Sequence, residues 1–125
     1  MSLEPMPFEF SHCMVYVTAA DAAEARAIGR AMVEARLAAC ANVFEGMVPI
    51  FGWEGAIEEG SEAVVILKTT AARAEALVAA VEAMHSYEVP CAVVLPLAGG
   101  SRGFLDWITQ ETNSGEAGSG EEGAA

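Results

Sequence analysis

Basic residues are scarce in this chain. Lys and Arg number 6 against 18 Asp and Glu, so the formal charge is −12. A surface this acidic repels phosphate backbones and argues against nucleic acid as a partner. Its pull on cations is unspecific and locates no site. Long apolar runs are also missing. None approaches the ~18 residues of a membrane span, and "AVVILK" and "CAVVLPLA" read instead as short buried strands. The opening "MSLEPMPFEF" has no basic residue ahead of an apolar core, so no secretory signal is expected. The chain therefore reads as cytoplasmic, with no membrane partner.

Cysteine is limited to Cys13, Cys40 and Cys91, isolated from one another. There is no CxxC pair and no zinc spacing. Reduced, buried thiols are expected. His12 and His85 are the only histidines. No GxSxG elbow, P-loop or HExxH occurs. Ser11 and Ser86 adjoin the histidines in sequence, which does not by itself bring their side chains into hydrogen-bond reach. Glu58, Glu59 and Glu62 read as a solvated turn, and Glu88, as a cleft acid, has no partner base. No catalysis is expected.

What the chain does have is a regular succession of elements. Residues 1–11, with two prolines, read as an irregular lead-in. Residues 113–125, "NSGEAGSGEEGAA", carry no large apolar side chain and read as a disordered acidic tail. Residues 12–112 read as a single domain. "CMVYVTA" (13–19) is a β-branched and aromatic strand. Asp21 and Glu24 stand at capping spacing before a helix from 22 to about 39, with Ile28, Met32, Ala35 and Ala39 as its core stripe. Arg26, Arg30 and Glu34 fall on a solvated face. Residues 42–55 read as an edge strand, bulged or bent at Pro49, and "GWEGAIEEG" as the turn after it. A central strand (62–70) leads through a Thr70 cap into a helix over 71–84. Leu77, Val81 and Met84 form its stripe, widened by Ala74 and Val78. A fourth strand spans 89–98, and "FLDWITQET" forms a short terminal helix docking through Phe104, Leu105 and Ile108.

The order β-α-β-β-α-β plus a C-terminal helix predicts an α+β, ferredoxin-like sandwich, with two helices on one face of a four-stranded antiparallel sheet. Two helices cover one sheet face, yet both faces are apolar. Cys13, Val15 and Val17 point one way and Met14, Tyr16 and Thr18 the other. The 43–53 arm adds Phe44, Met47, Ile50, Phe51 and Trp53. A chain of this size does not bury all of them alone, so a homo-oligomer is expected, with that arm at the contact.

Other uses of this fold fail on their residues. An RNA-recognition sheet needs exposed aromatics and a basic surround. A soft-metal transfer domain needs CxxC. An acyl-phosphate hydrolase needs an arginine in the first loop, which is here "TAADAAE".

Six stretches in collinear order carry a resemblance: "VYVTA", "EARLAACANV", "GWEG" with "IEE", "ILKTT", "HSYEVPCAVVLPL" and "FLDWI". Over roughly residues 13–108 the chain resembles the divalent-cation tolerance proteins of the CutA family. The resemblance implies a ferredoxin-like homotrimer, similar in architecture to PII signalling proteins, with a role in tolerance of copper and other divalent ions. It implies no enzyme activity and no required cofactor, with Cu(II) as the candidate ion. The family's metal pattern joins a cysteine late in the first strand to a histidine pair at the end of the second helix. Here those positions hold Val17, Met84 and His85, so only His85 carries over as a metal ligand. Cys13 lies four residues earlier, roughly 13 Å away by strand rise. The family's His-Pro-Tyr is His85-Ser86-Tyr87, and the lysine common after Trp-Glu-Gly is Ala56. Weak metal binding or none is therefore expected. The alternative is a PII-like signalling trimer that binds a small molecule or partner protein in inter-subunit clefts, with Trp53, Tyr87 and Glu88 as the cleft residues.

Overall fold

A computed structural model describes residues 9–113. The lead-in up to residue 8 and the acidic stretch from 114 onward lie outside the described residues. The elements are β1 (His12–Ala19), α1 (Ala22–Glu34), β2 (Cys40–Met47), β3 (Ile50–Trp53), β4 (Ala56–Glu59), β5 (Glu62–Thr70), α2 (Ala71–Met84), β6 (Ala92–Pro96) and α3 (Arg102–Glu111).

β1 lies between β5 and β6, antiparallel to both, and β2 pairs on the far side of β5, giving the order β2-β5-β1-β6. The halves β1-α1-β2 and β5-α2-β6 interlock as a ferredoxin-like sandwich. The period-two pattern of β1 decides which side chains meet the helices. Cys13, Val15 and Val17 are fully buried, and Met14, Tyr16 and Thr18 are half-buried on the other face. Val65, Leu67 and Thr69 of β5 join the first set. They pack on Ile28 and Met32 of α1 and Leu77, Val78 and Val81 of α2. α3 packs against β5, where Lys68 Nζ lies 5.4 Å from the Phe104 ring centre. Ile108 is fully buried, while Phe104 and Leu105 are half-buried.

Four expected boundaries shift, each for a local reason. α1 stops at Glu34, five residues before the expected end. Arg36 sits in the left-handed region at φ 59, and the amides of Arg36 and Leu37 donate back to Val33 O and Met32 O, which closes the helix as a Schellman motif. Ala35 is consequently an exposed cap residue, not part of the core stripe, and Ala39 reaches the core from the following segment. The 42–55 strand is in fact two. β2 ends at Met47, and beyond Pro49 the chain leaves the sheet to form β3. β3 pairs with β4, which falls inside the segment expected to be only a turn. Glu54 and Gly55, at φ 50 and φ 84, supply the tight reversal that places Trp53 opposite Ala56. β6 is confined to Ala92–Pro96 within the expected 89–98. α3 begins at Arg102, two residues ahead of Phe104.

Thr70 is the N-cap of α2 but makes no side-chain capping bond. Leu77 and Val81 are buried as expected, but Met84 is 41% exposed at the last turn. Cys13 and Cys40 are buried as expected, whereas Cys91 is exposed, contrary to expectation.

Candidate functional site

The stretch from His85 to Pro90 converts α2 into β6. Pro90 disfavours helix at the residue before it, and His85 leaves the helix with extended backbone at ψ 147. Its ring folds back against the end of β1, and no side-chain surface remains exposed. Nε2 lies 2.7 Å from the Thr18 carbonyl oxygen, and Nδ1 accepts the Tyr87 amide at 3.0 Å. A carbonyl only accepts and an amide only donates. The ring is therefore neutral in this arrangement, with its proton on Nε2.

Glu24 gathers the same turn from the other side. Its Oε1 accepts the Ala20 amide at 2.9 Å and the Ser86 hydroxyl at 3.0 Å, and its Oε2 accepts the Ser86 amide at 2.8 Å. Oε2 also stands 3.7 Å from His85 Nδ1. Burial works to raise this carboxyl. The Ala20 and Ser86 donors outweigh it and hold the group below its ordinary value. Asp21, meanwhile, accepts the Glu24 amide at 2.8 Å, so the pair caps α1 while Glu24 also ties it to the α2–β6 turn.

Tyr87 completes the cluster. Its ring centre lies 4.7 Å from that of His85, and its hydroxyl donates to Glu62 Oε2 at 2.5 Å. That hydrogen bond, then burial and the charges of Glu62, Glu24 and Asp21, push the phenol up to about 12. It is a proton donor throughout the neutral range.

The expected site residues divide. His85 and Tyr87 come together. Trp53 is 61% exposed on the β3–β4 hairpin, and Glu88 is exposed. Neither makes a side-chain hydrogen bond among the described residues. Glu24 and Glu62 belong to the cluster but were expected only as a cap and as part of a solvated turn. The Asp21–Glu24 spacing revealed half of Glu24's role. The other half spans 62 residues, and no local spacing reports it.

As a metal donor set, one protomer is poorly equipped. Both His85 ring nitrogens are committed, Val17 offers no donor atom and is fully buried, and Met84 offers a soft thioether. Burial pushes the Cys13 thiol up to about 11, so it is a protonated, apolar residue at neutral pH. No group of three or more His, Cys, Asp or Glu among the described residues is arranged to hold an ion. These residues do not fit a divalent ion within one protomer.

Residues 13–111 match the family model "CutA1 divalent ion tolerance protein". The divalent-cation tolerance protein CutA of Thermus thermophilus is 40% identical over 99 residues, which is 79% of this chain and 96% of that one. The human protein CutA is 39% identical over 99 residues, and there the match spans only 55% of the longer relative. Among solved structures, CutA1 of Shewanella sp. SIB1 superposes with a TM-score of 0.82 at 31% identity, covering 86% of this chain and 100% of that one. The structure named as the periplasmic divalent cation tolerance protein CutA of Archaeoglobus fulgidus gives 0.78 at 38% identity, covering 82% and 99%. With the ferredoxin-like topology and the six collinear stretches, these matches show that the chain belongs to the CutA1 divalent ion tolerance family.

Proposed function

We propose that this chain acts in tolerance of divalent metal ions, copper among them, as a cytoplasmic homotrimer without enzymatic activity. The observation that carries this reading is the family match across residues 13–111, made to proteins named for divalent-cation tolerance. No helix among the described residues is long and apolar enough to cross a membrane.

The trimer rests on surface that one protomer leaves bare. Ile50 and Ile57 are 65% and 76% exposed on the hairpin, and Phe44, Phe51, Val93 and Leu95 are exposed on β2, β3 and β6. Apolar area on this scale marks an interface, and β2 and β6 both present unpaired strand edges. Sedimentation at micromolar concentration is expected to give three times the mass of one chain, and a single-chain mass would overturn the assembly.

Intrinsic metal affinity is weak in this reading, because ligation at His85 requires the ring to give up Thr18 or Tyr87. Calorimetric titration of Cu(II) into wild type and His85→Ala tests it. A weak signal lost in the variant assigns the ligand to His85. Equal affinities remove His85 from that role. The PII-like signalling alternative has no observation of its own in its favour.

A further inference from the structure

The turn after α2 is closed by more than its histidine. Where the family's pattern has a proline, this chain has Ser86, and both polar groups that a proline lacks are in use. The Ser86 amide donates to Glu24 Oε2 at 2.8 Å, and its hydroxyl donates to Glu24 Oε1 at 3.0 Å. Proline has neither an N–H nor a hydroxyl, so a chain that carries it here can make neither bond.

These bonds span the gap that a bound ion would bridge. The resemblance places the family's donors late in β1 and at the end of α2, where this chain has Val17, Met84 and His85. Here the end of α2 is joined to β1 one residue further on, by His85 Nε2–H and Thr18 O at 2.7 Å. Glu24 ties the same turn to α1 through Ser86, and to the β1–α1 connection through the Ala20 amide at 2.9 Å. Tyr87 adds β5 through Glu62 Oε2. No donor atom is left over for an ion. The His85 side chain is fully buried and that of Glu24 is 17% exposed. Among the described residues no buried side-chain nitrogen or oxygen lacks a hydrogen-bond partner. An ion on His85 Nδ1 would strand the Tyr87 amide, and an ion on Glu24 would strand the amides of Ala20 and Ser86. A stranded donor costs more than the bond it has lost was worth.

We infer that the hydrogen bonds of Glu24, Ser86 and His85 stand in this chain for a metal cross-link. They lock the α2–β6 turn without an ion, and no divalent ion is seated at His85. Ser86 is the residue that makes the lock possible, because it supplies both bonds to Glu24 from the turn. The inference rests on the metal-tolerance reading and refines it, by removing this turn as the ion's seat. The two fail separately. Loss of tolerance would sink that reading and leave the lock intact, and a metal-dependent lock would do the reverse.

The test uses the full chain at neutral pH and one protein concentration. Urea midpoints are measured in millimolar EDTA and again in submillimolar Zn(II). Zn(II) is expected to move the midpoint no more in wild type than in His85→Gln. Ser86→Ala should lower the midpoint by about 0.5–1 M, equally in both solutions, and Glu24→Ala should lower it by more. The double variant should lose less than the sum of the two, because they share a bond. The second readout needs no variant of the lock. In a long-range proton–nitrogen spectrum, with the other ring removed as His12→Gln, His85 should show a bare Nδ1 and a protonated Nε2. Neither signal should be shifted by Zn(II) or broadened by Cu(II). Zn(II) stabilising wild type but not His85→Gln, a His85 ring signal moved by either ion, or a Ser86→Ala midpoint equal to that of wild type would overturn the inference.

Discussion

The Nε2–H of His85 donates to the Thr18 carbonyl across 2.7 Å and 67 positions of sequence. This bond fastens the exit of α2 to the end of β1, and the Tyr87 amide on Nδ1 shapes the turn that follows. Replacing His85 with alanine strands a carbonyl and an amide in a site that the ring had closed. The expected loss is about 2–4 kcal/mol. Urea unfolding measures it. A midpoint within error of wild type would show that the ring does not hold the turn.

Glu24 sets an acid sensitivity. Its carboxyl lies below the ordinary value of 4.5 in the folded chain. A group depressed by folding adds stability that is complete above its unfolded value and is lost as pH falls through the folded one. Wild type is therefore expected to lose stability below about pH 4.5, in the range where this carboxylate takes up a proton. Glu24→Ala should cost about 1–3 kcal/mol at neutral pH and should lose less than wild type on acidification. Parallel pH profiles for the two proteins would refute the assignment.

Tyr87 provides a spectroscopic check. Its phenol is pushed up to about 12, first by the hydrogen bond to Glu62. The stability it contributes is present below the ordinary phenol value of 10.0 and fades as pH rises through 12. Glu62→Gln removes the charge and weakens the bond, so the phenol should titrate nearer 10.0. Ultraviolet titration can follow it, because Tyr16 is the only other tyrosine. An unchanged titration in the variant would mean that Glu62 is not the cause.

At Gly29, α1 lies close against β2. A Cβ at this position would meet the Ala41 Cβ at 2.8 Å. Neither atom can rotate away, so the helix or the strand must shift. Gly29→Ala is expected to cost about 1–3 kcal/mol, as overpacking does. Adding Ala41→Gly should recover most of this loss, a non-additivity that a double-mutant cycle reads directly. Additive losses would place the strain elsewhere.

Much of the architecture was legible because it is periodic. The alternation Cys13, Val15, Val17 against Met14, Tyr16, Thr18 predicted both faces of β1. Ile28 and Met32, at i and i+4, marked the buried side of α1. The Asp21–Glu24 spacing predicted a cap that the structure contains. Where the reading failed, the local signal was ambiguous. Alanines at 35, 38 and 39 continue a helical pattern, and nothing in their chemistry announces that Arg36 adopts φ 59. Likewise Pro49 marked a bend, but whether the arm beyond it stayed in the sheet depended on which strand it could pair with. It pairs with β4, whose residues were hidden in a segment that looked like a turn.

The candidate site was less legible. His85 could be named from sequence, but not what its ring nitrogens face. Glu62 looked solvated, yet the Tyr87 hydroxyl reaches it across 25 positions of sequence.

The sequence by itself determined the class of fold, the capping of α1, the buried faces of the central strands and the family. These depend on spacing of a few residues or on motifs in order. Only the tertiary structure decided the partners of the two histidines. Each ring bonds a group far away along the chain, Thr18 for His85 and Thr109 for His12. A hydrogen bond acts over about 3 Å, and folding alone brings such groups within that distance.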